Sequence, residues 1–334
     1  MATIMDVAQE AGVSPSTVSY VLSGKRAISA ATRARVLDAV AALGYRPHAG
    51  ARALASARTQ VIGLVVPLHE DADVNVVMQF VRAVTTTARR HEYDVLLLTQ
   101  EDAGALERVT SGALVDGLVV MDIEADDPRV ALLARLHRPA VLIGLPRESR
   151  GLSCVDFDFA RAARSAVDHL VRLGHRGIGL VSASASSVHR AGYVDRLRAG
   201  FEEAAAAAGV AVATSPCDPS PQAARACLAS LRAQQSGLTA LVVHHEAALP
   251  HLLDALAEEG VRLPQDLSLV AVGSAEVTGR LGRAVDLLDV PVGEVGRVAV
   301  EMLAERLAGV GTAEVRLLTS TLAEHGSTAP PRGR

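Results

Sequence analysis

Three groups of side chains in this sequence could do chemistry by their type and spacing. The first is GVSPSTVSYVLSGKR, residues 12–26, which gathers small hydroxyls, a proline, one of only four tyrosines and a basic pair. Such hydroxyls can donate to phosphates or base edges, and a tyrosine ring can pack on a thymine methyl. The second is HHEAALPH, where His244, His245, Glu246 and His251 invite a zinc reading. The spacing is not HExxH, and positions 245 and 251 do not share a helix face, so a solvated or ligand-facing cluster after a strand is the better reading. The third is GHRGIG, residues 174–179, which contains G-x-G without the full dinucleotide fingerprint that opens a helix. No G-x-S-x-G and no P-loop occur, and the sequence itself brings no carboxylates together as a pair, so nothing here argues for an enzyme. Cys154, Cys217 and Cys227 form no CxxC pair and read as small buried apolar residues in a reducing cytoplasm.

The first group needs a scaffold, and the flanking sequence supplies one. Thr3 with Asp6 is a T-x-x-D capping box, and Gly12 ends that helix. Ser14 is a good N-cap with Pro15 at the first helical position, where its missing N–H costs nothing. Val18, Val21 and Leu22 lie at helical spacing and face a core. That turns Pro15, Ser16, Ser19 and Tyr20 outward. Ser29 caps a third helix whose apolar side is Val36, Val40 and Leu43, closed by Gly44. Two short helices joined by a tight glycine turn read as a helix-turn-helix, whose second helix can enter the major groove.

The chain has 334 residues, more than one core usually serves, and 49% of them are hydrophobic. It shows neither a run of 18 or more apolar residues nor a charged-then-apolar leader, so no membrane span and no secretory signal are expected. The net charge of −4 hides an asymmetry: residues 1–60 carry seven basic against three acidic residues, a net +4, which leaves −8 for the rest. A small basic head on a large acidic body is the pattern expected when only the head meets a polyanion.

From Val61 the pattern changes. VIGLVV, DVLLLT, DGLVVMD and AVLIG are short, nearly continuous apolar runs alternating with helical stretches of about 12–18 residues, the mark of parallel strands covered on both faces. The alternation returns in RGIGLVS, TALVVHH and LSLVAVG, which suggests two similar sheets in succession.

TIMDVAQEAGVSPSTVSYVLSGKRAISAATRARVLDAVAALGYRP resembles the DNA-binding domain of the lactose-repressor (LacI/GalR) family, combining DVA..AGVS..TVS.VL.G, S..TR.RV and LGY.P in order and at spacing. The resemblance implies that Pro15, Ser16 and Tyr20 sit at the positions that set operator sequence. Thr17 and Ser19 match positions that hold phosphates, and Ser29 is carried over as a further DNA contact. Proline offers no side-chain hydrogen bond, so base reading should rest on Ser16 and Tyr20. Residues 46–60, RPHAGARALASARTQ, read by composition as a linker. The resemblance makes them a hinge that folds into a short helix on operator DNA, with Leu54 as the wedge between central base pairs and Arg52 as a DNA contact. His48 departs from the asparagine common there, and Gly50 lowers intrinsic helicity.

HLVRLGHRGIGLV and EEGVRLPQDLSLVAVG carry the resemblance into the family's effector-binding core, itself like periplasmic sugar-binding proteins. The implied fold is a small all-α helix-turn-helix head (1–45), the hinge (46–60), and an α/β core (61–334) of two doubly wound parallel-sheet subdomains between which the chain crosses three times. A ligand would sit in the cleft at the carboxyl ends of the strands. The family's ligand contacts carry over in part, to Asp73, Asn75, Arg196, His245 and Glu276, with Arg190 and Arg198 as alternatives to Arg196. Gly144 and Ala275 stand where aspartates are usual. With no tryptophan and 2% aromatics, and with Phe157 and Phe159 read as core or interface, the sequence offers no stacking ring for a sugar, so the expected effector is a small molecule of open class. The ending STLAEHGSTAPPRGR resembles the family's final strand, with no leucine heptad after it, so a homodimer is expected. The implied protein is a cytoplasmic, cofactor-free, operator-binding regulator of the repressor kind. The alternative is a periplasmic-type binding protein without a DNA role.

Overall fold

The computed structural model describes residues 2–23, 26–45, 58–66, 74–100, 102–111, 114–183 and 192–332. The head is three helices, α1 (Ile4–Ala11), α2 (Pro15–Ser23) and α3 (Ala30–Ala42). Thr3 and Asp6 form the reciprocal capping box, and Gly12 ends α1 in the left-handed conformation at φ 61°. The Ser14 hydroxyl accepts the Thr17 N–H at 3.2 Å, and the Ser29 hydroxyl accepts the Thr32 N–H at 3.2 Å. Val7, Val18, Val21, Val36, Ala39 and Tyr45 close into one small core. A fully buried valine contributes roughly 1.5 kcal/mol to such a cluster. Leu43 departs from expectation, being 36% exposed: the chain turns through Gly44 at φ 57° and seats Tyr45 against the core in its place.

The core runs β1 (Val61–Val65), α4 (Val74–Arg90), β2 (Asp94–Leu98), α5 (Ala103–Ser111), β3 (Gly117–Val120), α6 (Pro128–Leu133), β4 (Ala140–Ile143), β5 (Ser153–Phe157), α7 (Phe159–Arg172), β6 (Gly177–Ser182), α8 (Gly192–Ala208), β7 (Ala211–Pro216), α9 (Pro221–Gln234), β8 (Ala240–His244), α10 (Leu249–Glu258), β9 (Ser268–Gly273), α11 (Ala275–Thr278), a 3-10 turn (Gly279–Leu281), β10 (Asp286–Asp289), α12 (Val292–Ala308), β11 (Val315–Leu318) and β12 (Leu322–Ala323). Two sheets result, in the orders β11-β5-β4-β3-β1-β2 and β12-β10-β9-β8-β6-β7. Every pairing is parallel except β10 with β12. The chain changes sheet after β5, after β10 and after β11, which are the three crossings the resemblance implied.

Each sheet has an apolar cluster on both faces, so its central strands are buried throughout. That double burial is why the strands read as continuous apolar runs rather than alternating ones. The edge strands β2, β7 and β11 are more open, with Leu96 36% and Leu97 44% exposed on β2. In each sheet the strand order reverses beside the first strand entered, β1 and β6, which places a crevice at the carboxyl ends.

Candidate nucleic-acid interface and ligand cleft

In the head, the buried side of α2 is Val18 and Val21, and the opposite side presents Ser16 and Tyr20 as exposed residues with Pro15, Thr17 and Ser19 partly exposed. Thr17 shares a 2.9 Å hydroxyl bond with Ser14, and Ser29 donates to the Thr32 hydroxyl at 2.9 Å, so both hydroxyls already serve helix starts. The Arg26 guanidinium lies 5.8 Å from the Tyr20 ring centroid, a cation–π contact that orients the ring and adds positive charge beside it. Arg52 and Leu54 lie outside the described residues, as do Asp73 and Arg190.

In the core, contacts among the described residues join the carboxyl ends of the two sheets. Arg196, on α8 of the second subdomain, pairs with Asp156, on β5 of the first, and donates to the Leu145 carbonyl at 2.9 Å. Ser274, following β9, donates its hydroxyl to Gln79 on α4 at 2.9 Å, both groups buried. Arg82 on α4 pairs with Glu276 on α11 at 2.7 Å, with side chains 69% and 39% exposed. An exposed pair of that kind contributes about 0–1 kcal/mol, so the buried contacts carry most of the join.

Behind these contacts stands an aromatic wall. Phe159 lies 4.9 Å from Tyr193 and 5.2 Å from His244, ring centroid to centroid, and Tyr193 meets His244 edge-on at 5.5 Å. Tyr193 precedes Arg196 by one helical turn on α8, so ring and guanidinium share a face. The wall was not legible beforehand because Tyr193 and His244 come from a helix and a strand end that only the fold brings to Phe159.

The same residues hold the perturbed ionisations. Burial raises Asp156 to about 6, with Arg196 pulling the other way. Burial lowers His244 to about 4, and its ring nitrogen Nδ1 bonds the Val272 carbonyl at 2.8 Å, so the imidazole is neutral near pH 7. Burial also raises the Tyr193 hydroxyl, as do the nearby carboxylates of Asp122, Glu246 and Asp156. Asp156 and His244 lie at the carboxyl ends of β5 and β8, and perturbed groups gathered there are the pattern of a functional site.

Of the residues read from sequence, Arg196 faces the inter-subdomain contact, whereas Arg198 pairs at 3.4 Å with exposed Asp195 on its own helix. His245 follows β8 and bonds the Cys217 carbonyl at 2.7 Å. Asn75 opens α4 and is exposed. Glu276 is shared between Arg82 and Arg280. Glu246 accepts the Ser274 N–H, and an added Cβ at Gly273 would lie 2.5 Å from the Glu246 carboxylate, so the glycine makes that approach possible. Gly144 has φ 121°, and a Cβ there would meet Ile123 at 2.9 Å, so the end of β4 leaves no room for a side chain at this position. Among the described residues no group of His, Cys, Asp and Glu could hold a metal ion. Among them, too, no helix is long and apolar enough to cross a membrane.

Comparison with known proteins agrees with this division. Residues 3–48 match the profile for bacterial regulatory proteins of the lacI family, and residues 167–328 match that for periplasmic binding protein-like domains. Catabolite control protein A of Priestia megaterium is 26% identical over 309 residues, covering 90% of this chain and 91% of that protein. The HTH-type transcriptional regulator GalS of Salmonella typhimurium is 29% identical over 316 residues, covering 92% and 91%. Among solved structures, the lac repressor dimer bound to operator and the anti-inducer ONPF superposes with a TM-score of 0.80 at 24% identity over 98% of this chain and 99% of that one, a likeness of fold.

Proposed function

This chain belongs to the LacI family of bacterial regulatory proteins, and we propose that it works as a dimeric repressor controlled by a small molecule held between its two sheets. The observation that carries the reading is the joining, in one chain, of a helix-turn-helix whose outer face is Ser16, Ser19 and Tyr20 to a two-sheet core with perturbed groups at its cleft. In this reading residues 1–45 bind DNA, 46–60 form the hinge with Leu54 as wedge and Arg52 on the backbone, and 61–334 bind effector and dimerise. Ser16 and Tyr20 read bases, while Thr17, Ser19 and Ser29 lie against phosphates. The protein is cytoplasmic and catalyses no reaction.

The effector lies against Phe159, Tyr193 and His244 and exchanges hydrogen bonds with Arg196, Asp156, His245 and Glu246. A ring face beside carboxylates and a guanidinium suits a small, ring-bearing, hydrogen-bonding metabolite. Asn75 on α4 and Glu276 on α11 contribute at the cleft's rim, and Asp73, which lies outside the described residues, is a further contact in this reading. The ligand changes DNA affinity only through unequal binding to the two arrangements of the subdomains, and a coupling of about 1–3 kcal/mol is ordinary.

Titration of the purified chain against genomic fragments, followed by footprinting, tests this. A near-palindromic protected site and a steep loss of affinity with added salt are expected. Binding of small molecules with no DNA protection at any salt concentration would leave a periplasmic-type binding protein instead.

A further inference from the structure

Asp116 lies at the foot of the first subdomain, just before β3, and is 1% exposed. A carboxylate so buried is unfavourable unless its oxygens are hydrogen-bonded. The bonds it receives come from the first residues of the core. Its Oδ1 accepts the Thr59 N–H at 2.7 Å and the Thr59 hydroxyl at 3.0 Å, and its Oδ2 accepts the Gln60 N–H at 2.9 Å. The Arg138 guanidinium stands 4.0 Å away and offsets the charge. Successive backbone N–H groups converging on one anion form a nest, and Gln60 holds φ 57°, a left-handed conformation that a glutamine adopts only when its surroundings enforce it. Further bonds fix Gln60 and its neighbours Arg58 and Val61. The Gln60 carbonyl accepts from Asp94 at 2.8 Å, the Val61 carbonyl accepts from Asp116 at 2.7 Å, and Arg58 donates to the Leu307 carbonyl of α12 at 3.0 Å.

We propose that Asp116 is a positioning residue for operator recognition: its carboxylate fixes the direction in which the chain leaves the core toward residues 46–57, so that the two heads of a dimer are presented at one separation. The proposal rests on the reading of the chain as a dimeric operator-binding regulator. A paired site rewards only heads that reach both halves together. A root free to swing spreads the second head over a larger volume and lowers its effective concentration at the second half-site. An amide could not replace the carboxylate, because its NH2 group would face an N–H donor.

The test uses the full chain, its Asp116→Asn variant, and duplexes carrying two copies of the footprinted half-site at the parental separation and at one to three base pairs more or fewer. A single half-site and a random duplex serve as controls. The parent should prefer its own spacing strongly. Asp116→Asn should lose affinity there by on the order of tenfold, keep its affinity for the single half-site, and show a flattened dependence on spacing. If Asp116→Asn does not fold, Thr59→Ala removes one of the three bonds and should flatten the same profile in part. A spacing profile equal to the parent's, or an equal loss on single and paired half-sites, overturns the positioning role. A parent chain indifferent to paired half-sites overturns the operator reading itself, and this inference with it.

Discussion

Arg196 reaches from the second subdomain to pair with Asp156 of the first, using another of its nitrogens to hold the Leu145 carbonyl. The side chains are 25% and 11% exposed, so the pair is largely withdrawn from water. Removing one partner of such a pair strands the other, whereas an exposed pair such as Arg82–Glu276 can be lost at little cost. A ligand entering the cleft meets a guanidinium already engaged across the subdomain boundary, so whatever it takes from Arg196 it takes from Asp156. Binding and the relative setting of the sheets are thereby linked through one side chain.

Arg196→Ala should therefore destabilise the protein by about 2–4 kcal/mol at pH 8 in urea unfolding. The cost should shrink at pH 5, because Asp156, already raised to about 6 with the arginine present, takes up a proton rather than remaining as a stranded charge. A cost independent of pH would show that Asp156 is not the group left behind.

Asp156 and His244 should give opposite dependences of stability on pH in one window. The Asp156 value of about 6 lies above the usual 3.8, so the folded state holds that proton longer and stability falls as pH rises from about 4 to about 6. The His244 value of about 4 lies below the usual 6.5, so the unfolded chain binds the proton first and stability rises with pH from about 4 to about 6.5. Each effect is on the order of 3 kcal/mol, and in the parent they largely cancel. Urea midpoints at pH 4.5, 5.5 and 6.5 should then rise more steeply for Asp156→Asn than for the parent and less steeply for His244→Gln. Groups common to all three proteins drop out of these differences, and parallel curves would refute the assignment.

The head was legible in the sequence because its signals are local. Thr3, Asp6, Gly12, Ser14 and Ser29 cap helices within four residues of themselves. Leu43 was misplaced because apolar spacing says nothing of where a helix ends and the chain turns. The central strands were legible because both of their faces are buried. Strands β5 and β10 were not, since Cys154 and Asp156 in one and Asp286 and Asp289 in the other interrupt the apolar run, and β11 was missed because an edge strand alternates between exposed and covered positions. The cleft was least legible, because it depends on pairs far apart in the chain. Gln79 meets Ser274 across 195 positions, and Arg196 meets Asp156 across 40.

Tyr20 should act on specificity more than on affinity at large. It is 37% exposed on the outer face of α2, with Arg26 beside its ring. Tyr20→Ala should change the ranking of operator variants by about 1–3 kcal/mol at one base pair per half-site, read by competitive titration of single-substitution duplexes. Uniform weakening across all variants would make it a backbone contact instead.

Leu54 gives the last expectation. It is the only large apolar side chain in residues 46–60, so a wedge between base pairs has one candidate there. Partial unstacking kinks a duplex and brings more of it against the protein, and the free energy of one unstacked step is a few kcal/mol. Leu54→Ala should keep the thermal stability and the dimer, which in this reading belong to residues 61–334. Operator affinity should fall by an amount on the order of a few kcal/mol, while binding to random duplex, which is mainly phosphate electrostatics, should hold. Paired titrations at one salt concentration separate the two. Equal operator affinity for Leu54→Ala and the parent would reduce residues 46–60 to a tether.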